Sequence, residues 1–105
     1  MQLINLTHYE INITGHGVVK PSGIAVKSHS HLAQVDTFAE IPLMVSVKSG
    51  VSNMPEPAKD TMYIVPAYIR EALPDRHDVA SPTKLIRDTN GVITGCGALE
   101  VNSRE

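Results

Sequence analysis

Apolar and polar residues alternate with a period of two along much of the chain, which predicts β-strands rather than helices. Near the start, Tyr9, Ile11 and Ile13 alternate with polar residues and are expected to share one face of a strand. The cleanest case is a half-buried strand that begins near Pro42, with one apolar face: Ile41, Leu43, Val45 and Val47. TMYIV, residues 61–65, predicts a further short, buried strand.

One segment has a helical pattern instead. In PAYIREAL, Pro66 suits a first helical position, Ile69 and Leu73 lie four residues apart, and Pro74 ends the pattern. A helix of about two turns is not stable alone, so we expect it to dock on the sheet.

Glycine and proline divide the strands from one another. Turn residues occupy 15–17 and 21–23, and the prolines of residues 53–60 predict a loop. Asn90-Gly91 predicts a hairpin over residues 84–101, in which Gly95 indicates a bulge or a close backbone approach. The pattern as a whole predicts a mainly β (α+β) fold, a small antiparallel sheet or barrel of five to seven strands with one short helix.

Composition restricts the class of protein. The 105 residues, 42% hydrophobic with a net charge of −2, fit one folded domain spanning residues 1–105. No stretch approaches the roughly 18 apolar residues of a membrane helix. The lone Cys96 cannot form a disulfide within the chain, so we expect a cytoplasmic protein. The nine basic residues are scattered and Trp is absent, which argues against nucleic-acid binding.

Few residues have the spacing of a metal site or a catalytic motif. His29 and His31 fall on one face of a predicted strand, as some metal ligands do, but only sequence proximity suggests His16 or Asp36 as further ligands. Cys96 lacks a cationic neighbour and is expected to be a small buried hydrophobe. We therefore expect no cofactor and assign no metal ligand, although the sequence leaves open whether His29 and His31 bind a metal ion.

The best candidate site is the charged segment LPDRHDVASP, which follows the predicted helix. A proline lies near each end of this segment, Pro74 and Pro82. An arginine offers a planar donor fork for a carboxylate or phosphate, neighbouring aspartates can orient that fork, and a histidine titrates near neutral pH. The alternative is an ordinary turn whose aspartates accept local backbone donors. The predicted ligand- or partner-binding residues are Arg70, Asp75, Arg76, His77 and Asp78.

Several phrases of the chain resemble a family of short uncharacterised phage and prophage proteins. Members open with an Asn-Leu-Thr-Pro-His phrase, carry a Pro-Ser-Gly turn, and have a Pro-x-Arg-x-Asp loop before a hairpin. This chain has His8-Tyr9 where the family has Pro-His, so His8 is the candidate to replace that histidine. The matching residues are Asn5, Leu6, Thr7, Pro21, Ser22, Gly23, Pro55, Pro57, Tyr63, Pro74, Arg76, Asp78, Arg87, Asp88 and Gly91.

The resemblance implies a phage-like origin but no reaction. We therefore expect a non-enzymatic accessory protein that binds a host protein or a small anionic, nucleotide-like signal, in the role of a host-defence inhibitor. An exposed sheet edge would favour a homo-oligomer. Two alternatives remain: a virion-associated or other structural β module, and a small hydrolase or nucleotide-processing enzyme with His77 or His8 as its base.

Overall fold

The structure, a computed structural model, describes residues 1–103. Within them the chain forms eight strands and one helix, which confirms the mainly β class with one short helix. The helix has six residues, and no helix in the described range is long and apolar enough to cross a membrane. In chain order the elements are β1 (Gln2–Asn5), β2 (Ile11–Ile13), β3 (Gly17–Val19), β4 (Lys27–Phe38), β5 (Ile41–Ser52), β6 (Thr61–Ile64), α1 (Ala67–Ala72), β7 (Val79–Arg87) and β8 (Ile93–Val101).

Six of the strands form one curved sheet in the order β1-β6-β7-β8-β2-β3. The sheet is mixed, because β1–β6, β6–β7 and β2–β8 pair in parallel, whereas the alternating pattern suggested antiparallel neighbours. Alternation specifies which face a residue occupies, and it carries no information on strand direction. Pro21, just after β3, bridges Asn5 at the end of β1, so the two edges of the sheet approach each other.

The core lies on both sides of this sheet. Ile69 fixes α1 to one side and is fully buried, which confirms that the helix docks. Cys96 is 1% exposed, in agreement with its expected role as a small buried hydrophobe. The cluster beneath the helix contains Leu6, Val26, Tyr63, Val65, Ile69 and Val79, and the second cluster contains Ile11, Ile13, Ile64 and Cys96.

Two details of the strands differ from the sequence-based prediction. The charged loop is shorter than expected, because β7 begins at Val79 and includes Pro82. The pairing of β6 with β7 ends at Ala80, so β7 forms no backbone hydrogen bonds on that side at Pro82. The N–H that proline lacks is therefore not needed there. Tyr9 lies before β2 and is 64% exposed, so it does not share the buried face of that strand.

The close backbone approach predicted for the last hairpin is present at Gly95. A Cβ atom placed on Gly95 would lie 2.8 Å from the carbonyl oxygen of Asn12 in β2. Any side chain at this position would therefore push β2 and β8 apart.

Strands β4 and β5 form a separate two-stranded ribbon, the arm (residues 27–52), which projects from the sheet. Its tip turns at Ala39 and Glu40, both with positive φ, as tight hairpin turns require. The arm gives the chain a radius of gyration of 16.9 Å, against about 13 Å for a compact chain of this size. The strand predicted at residues 41–48 is present, but its apolar face is exposed, so the expected half-burial is wrong for the single chain.

Candidate functional site

In the predicted loop site, Arg76 forms a bidentate ion pair with Asp78. Arg76 Nε donates to Asp78 Oδ1 at 2.7 Å, and its Nη2 donates to Asp78 Oδ2 at 2.9 Å. The same Nη2 also donates to the carbonyl oxygen of Pro55 at 3.1 Å. These bonds tie the charged loop to the proline-containing loop, which fits the structural-turn alternative.

The pair shifts the acid–base behaviour of both partners. The hydrogen bond from Arg76 lowers the pKa of Asp78, against a smaller opposing effect of burial. The same hydrogen bond raises the pKa of the Arg76 guanidinium. Both side chains are mostly covered, at 23% and 19% exposure, so solvent screens the pair only in part.

An Asp78→Asn variant is expected to lose about 1–3 kcal/mol of unfolding free energy at pH 7, the range for a charged hydrogen bond. Because folding lowers the pKa of Asp78 from its ordinary 3.8, the unfolded state binds more protons there. The stabilisation that the ion pair provides is therefore present above pH 3.8 and is lost as the pH falls through the pKa of Asp78 in the folded state. Urea unfolding between pH 2 and 7 measures this.

The control is Asp75→Asn, which removes an exposed carboxylate three residues earlier in the same loop. It should change the unfolding free energy by less than about 0.5 kcal/mol, as surface substitutions do. An Asp78→Asn protein with the same difference from wild type at pH 2 and pH 7 contradicts the assignment.

Arg70, the helix arginine of the predicted site, is buried in a different network. It is 7% exposed, and its Nε donates to Ser81 Oγ at 2.9 Å while Nη1 donates to Asn102 Oδ1 at 3.1 Å. Glu100 lies 3.4 Å from Nη2. Asn102 in turn donates to the carbonyl oxygens of Leu73 and Arg76. Arg70 thus joins α1, β7 and the segment after β8, and it contributes to the fold.

The structure does not gather the predicted residues around one opening. Asp75 and His77 are exposed on the loop, and neither they nor Arg70 and Arg76 line either of two clefts that residues 1–103 form. Their role in ligand or partner binding stays a prediction. His8 is different, because it lines a cleft beside the start of α1.

This cleft, the β1–β6 cleft, opens where the parallel strands β1 and β6 end. Asn5 and Ile64 are aligned last residues of the two strands, so the segments that follow them leave the sheet side by side. The carboxyl edge of parallel strands is where α/β sheets bind ligands, because loops diverge there and leave a crevice. The cleft has a volume of about 330 Å³, within the range of small-molecule sites.

Three separate segments line the β1–β6 cleft, and they bring basic, aromatic and hydroxyl groups together. Residues 6–9 follow β1, residues 26–28 include the first two residues of the arm, and Tyr68 lies on α1. Tyr9 and Tyr68 are 64% and 54% exposed, so their rings are available for contact. The lining residues are Leu6, Thr7, His8, Tyr9, Val26, Lys27, Ser28, Pro66 and Tyr68.

Asn5 holds the cleft segment 6–9 in place. Its Nδ2 donates to the carbonyl oxygens of Tyr9 and Val19, at 2.9 and 3.0 Å. Its Oδ1 accepts from the backbone N–H and the hydroxyl of Thr7, at 2.8 and 2.6 Å. Asn5 is 1% exposed, so this amide, with every donor and acceptor used, is a buried clamp on the loop.

A second cleft of about 600 Å³ adjoins the first and shares Tyr9 and Pro66 with it. Its walls are more apolar and come from β2, β3, β7 and β8, including Ile11, Val18, Leu85 and Ile93. Tyr9 therefore stands between a cleft with basic groups and an apolar one.

Of the predicted binding residues, His8 lines this cleft, whereas Lys27, Tyr9 and Tyr68 were not among those predicted. The available signal was Asn5-Leu6-Thr7, since an asparagine that bonds the backbone two residues on forms a local turn. Within residues 1–103 no three His, Cys, Asp or Glu side chains are placed to hold a metal, and His29 bonds Ser52 Oγ at 2.8 Å.

Comparison with protein-family models, curated proteins and solved structures gives no match for this chain, so its function must be inferred from the site itself.

Proposed function

We propose that this protein is a non-enzymatic binding protein for a small anionic, nucleotide-like ligand, which it holds in the β1–β6 cleft. One observation carries the proposal: a cleft at the ends of two parallel strands combines Lys27 and His8 with the exposed rings of Tyr9 and Tyr68.

Each of these groups recognises one part of such a ligand. The Lys27 ammonium is a flexible point charge suited to a phosphate or carboxylate. Tyrosine rings stack on planar bases without selecting one base strictly, since every base has a π-face. The hydroxyl of Ser28, beside Lys27, can donate to an anionic oxygen.

The cleft suits binding better than acid–base catalysis. No Asp or Glu is among its lining residues, so its charged groups are basic although the chain has a net charge of −2. A histidine that acts as a general base is ordinarily oriented by a second polar group. In the part of the chain that the structure describes, His8 has no hydrogen bond or ion pair to serve this purpose.

A protein that binds its ligand without converting it must be present in at least the same amount as the ligand to deplete it. Sequestration of a nucleotide signal would suit a phage-encoded inhibitor of host defence, and the sequence resemblance implies a phage-like origin but no particular role. The alternative partner, a host protein, predicts co-purification of that protein rather than of a nucleotide from infected cells, which native mass spectrometry distinguishes.

Isothermal titration calorimetry with adenosine 5′-monophosphate, a cyclic dinucleotide and uncharged adenosine tests the proposal. We expect at least one phosphorylated compound to bind and adenosine to bind at least tenfold more weakly. Lys27→Glu should weaken the phosphorylated compound at least tenfold, which corresponds to about 1.4 kcal/mol.

Lys59→Glu is the matched control, since it makes the same charge change at an exposed loop position outside the cleft. Equal losses in both variants would mean that only net charge matters. No heat from any phosphorylated compound up to millimolar concentration would reject the proposal.

The exposed arm favours a second candidate function, a structural β module. An unpaired apolar ribbon is the kind of element by which assembly proteins join their neighbours. For this function, the purified chain should form large assemblies whether or not the cleft residues are intact.

A further inference from the structure

The β1–β6 cleft and the second cleft open at the same end of the six-stranded sheet. The pairing directions place the ends of β1, β6 and β7 beside the beginnings of β2 and β8. The β6 strand ends opposite Ala80, whereas β7 continues to Arg87, so the β7–β8 hairpin extends past the end of β6. Pro82 and Leu85 lie on this extension and line the second cleft, together with Pro66 after β6. The second cleft therefore occupies the position of a barrel mouth, a common place for ligand pockets.

The second cleft is a recess with a buried apolar base. Ile11 and Cys96 belong to the same core cluster, and both are buried where they line the cleft. Leu85 is the cross-strand partner of Cys96, so the two side chains share a face. Leu85 and Ile93 are each about half exposed. Their aliphatic surface, in a cleft of about 600 Å³, is available to an apolar group that leaves water.

The charges of the two clefts are opposite in sign. Among the described residues that line the second cleft, Glu10 is the one that carries a charge. Its carboxylate repels an anion at this place. Thr94 adds little polarity, because its Oγ1 donates to the carbonyl oxygen of Ile86 at 3.3 Å. The anionic end of a ligand is therefore favoured beside Lys27 and disfavoured in the second cleft.

We propose that the second cleft binds an uncharged alkyl or aryl group, and that this group belongs to the anionic ligand of the β1–β6 cleft. The two clefts share Tyr9 and Pro66, so one molecule can lie in both. Tyr9 has an aromatic body and a polar hydroxyl, which suits the place where an apolar group meets an anionic one. The inference rests on the proposed function for the anionic end alone. It narrows the ligand class to phosphate esters that carry an apolar substituent.

Isothermal titration calorimetry of the wild-type chain with butyl, hexyl and octyl phosphate tests the second cleft without any substitution. Each methylene group that enters an apolar site should strengthen binding about fourfold. Octyl phosphate should therefore bind at least fiftyfold more tightly than butyl phosphate. 1-Octanol, the uncharged analogue, should bind at least tenfold more weakly than octyl phosphate, because it lacks the group that Lys27 attracts.

A pair of variants places the alkyl chain. Leu85→Asp puts a second carboxylate in the second cleft and should weaken octyl phosphate at least tenfold. Leu43→Asp is the matched control, since it makes the same change at a leucine of similar exposure, 42% against 46%, in the arm and outside both clefts. It should bind octyl phosphate as wild type does. Equal losses in both variants overturn the inference, and the wild-type series decides the case in which Leu85→Asp does not fold.

Failure of this inference is distinguishable from failure of the proposed function. If adenosine 5′-monophosphate binds but affinity does not rise from butyl to octyl phosphate, the inference is overturned and the proposed function stands. If octyl phosphate and 1-octanol bind equally and Lys27→Glu changes neither, the apolar cleft stands and the proposed function fails. Vesicles that contain phosphatidic acid present the same phosphate with its chains in a bilayer. Binding to these vesicles without binding to the free esters overturns the inference.

Discussion

Replacement of Arg70 by methionine is expected to lower the unfolding free energy by about 2–5 kcal/mol, because two buried polar groups lose the donor that satisfies them. Methionine retains much of the volume and none of the donors. Ser81 and Asn102, both buried, would lose the hydrogen bonds that Arg70 donates to them. Each buried polar group left without a partner costs about 1–3 kcal/mol.

Urea unfolding followed by circular dichroism measures the loss. Glu71→Gln is the control, because it removes only an exposed carboxylate at 4.0 Å from Arg70 and should cost less than about 1 kcal/mol. Arg70→Lys should recover part of the stability, since an ammonium can satisfy one of the two acceptors. If Arg70→Met is as stable as Glu71→Gln, the network does not hold α1 to β7.

Replacement of Asn5 by alanine is the second large effect, with an expected loss of about 3–4 kcal/mol. The variant loses four hydrogen bonds, two donated and two accepted, at about 1 kcal/mol each. Because those bonds fix residues 6–9, the variant should also weaken binding of a phosphorylated ligand that wild type binds, even where it remains folded.

Asn5→Asp separates the two halves of this clamp. The aspartate keeps the oxygen that accepts from Thr7, but it loses the Nδ2 group that donates to the carbonyl oxygens of Tyr9 and Val19. A carboxylate oxygen then faces those two carbonyl oxygens, so we expect the variant to be less stable than wild type. Asn12→Ala, at an exposed position in β2, should change stability by less than about 0.5 kcal/mol. Similar melting temperatures for Asn5→Ala and Asn12→Ala would show that the clamp is unimportant.

Local features of the fold could be predicted because neighbouring residues determine them. The alternation at 41–47, the proline-bounded helix and the Asn90-Gly91 turn each depend on a few adjacent residues, and each is present. Strand order could not be predicted, since β1 and β6 are joined by backbone bonds between residues almost sixty positions apart.

The candidate site was harder to predict for the same reason. Its lining comes from residues 6–9 and 26–28 and from Pro66 and Tyr68, and no spacing motif connects such distant segments. Conversely, Arg76 and Asp78 are close in sequence and drew attention as a site, yet their proximity lets them satisfy each other. A charged cluster in a sequence does not reveal whether its charges face one another or a ligand.

The parallel pairing of β1 with β6 imposes an order of assembly on the growing chain. During synthesis the first strand leaves the ribosome long before its partner, and the arm, residues 27–52, emerges in between with its apolar residues uncovered. Pairs so distant in sequence close slowly, because the loop entropy is lost before the contacts form. Until β6 is made, β1 has no partner strand, so it is an aggregation-prone part of the growing chain, whereas the arm keeps its apolar residues exposed even after β6 has paired.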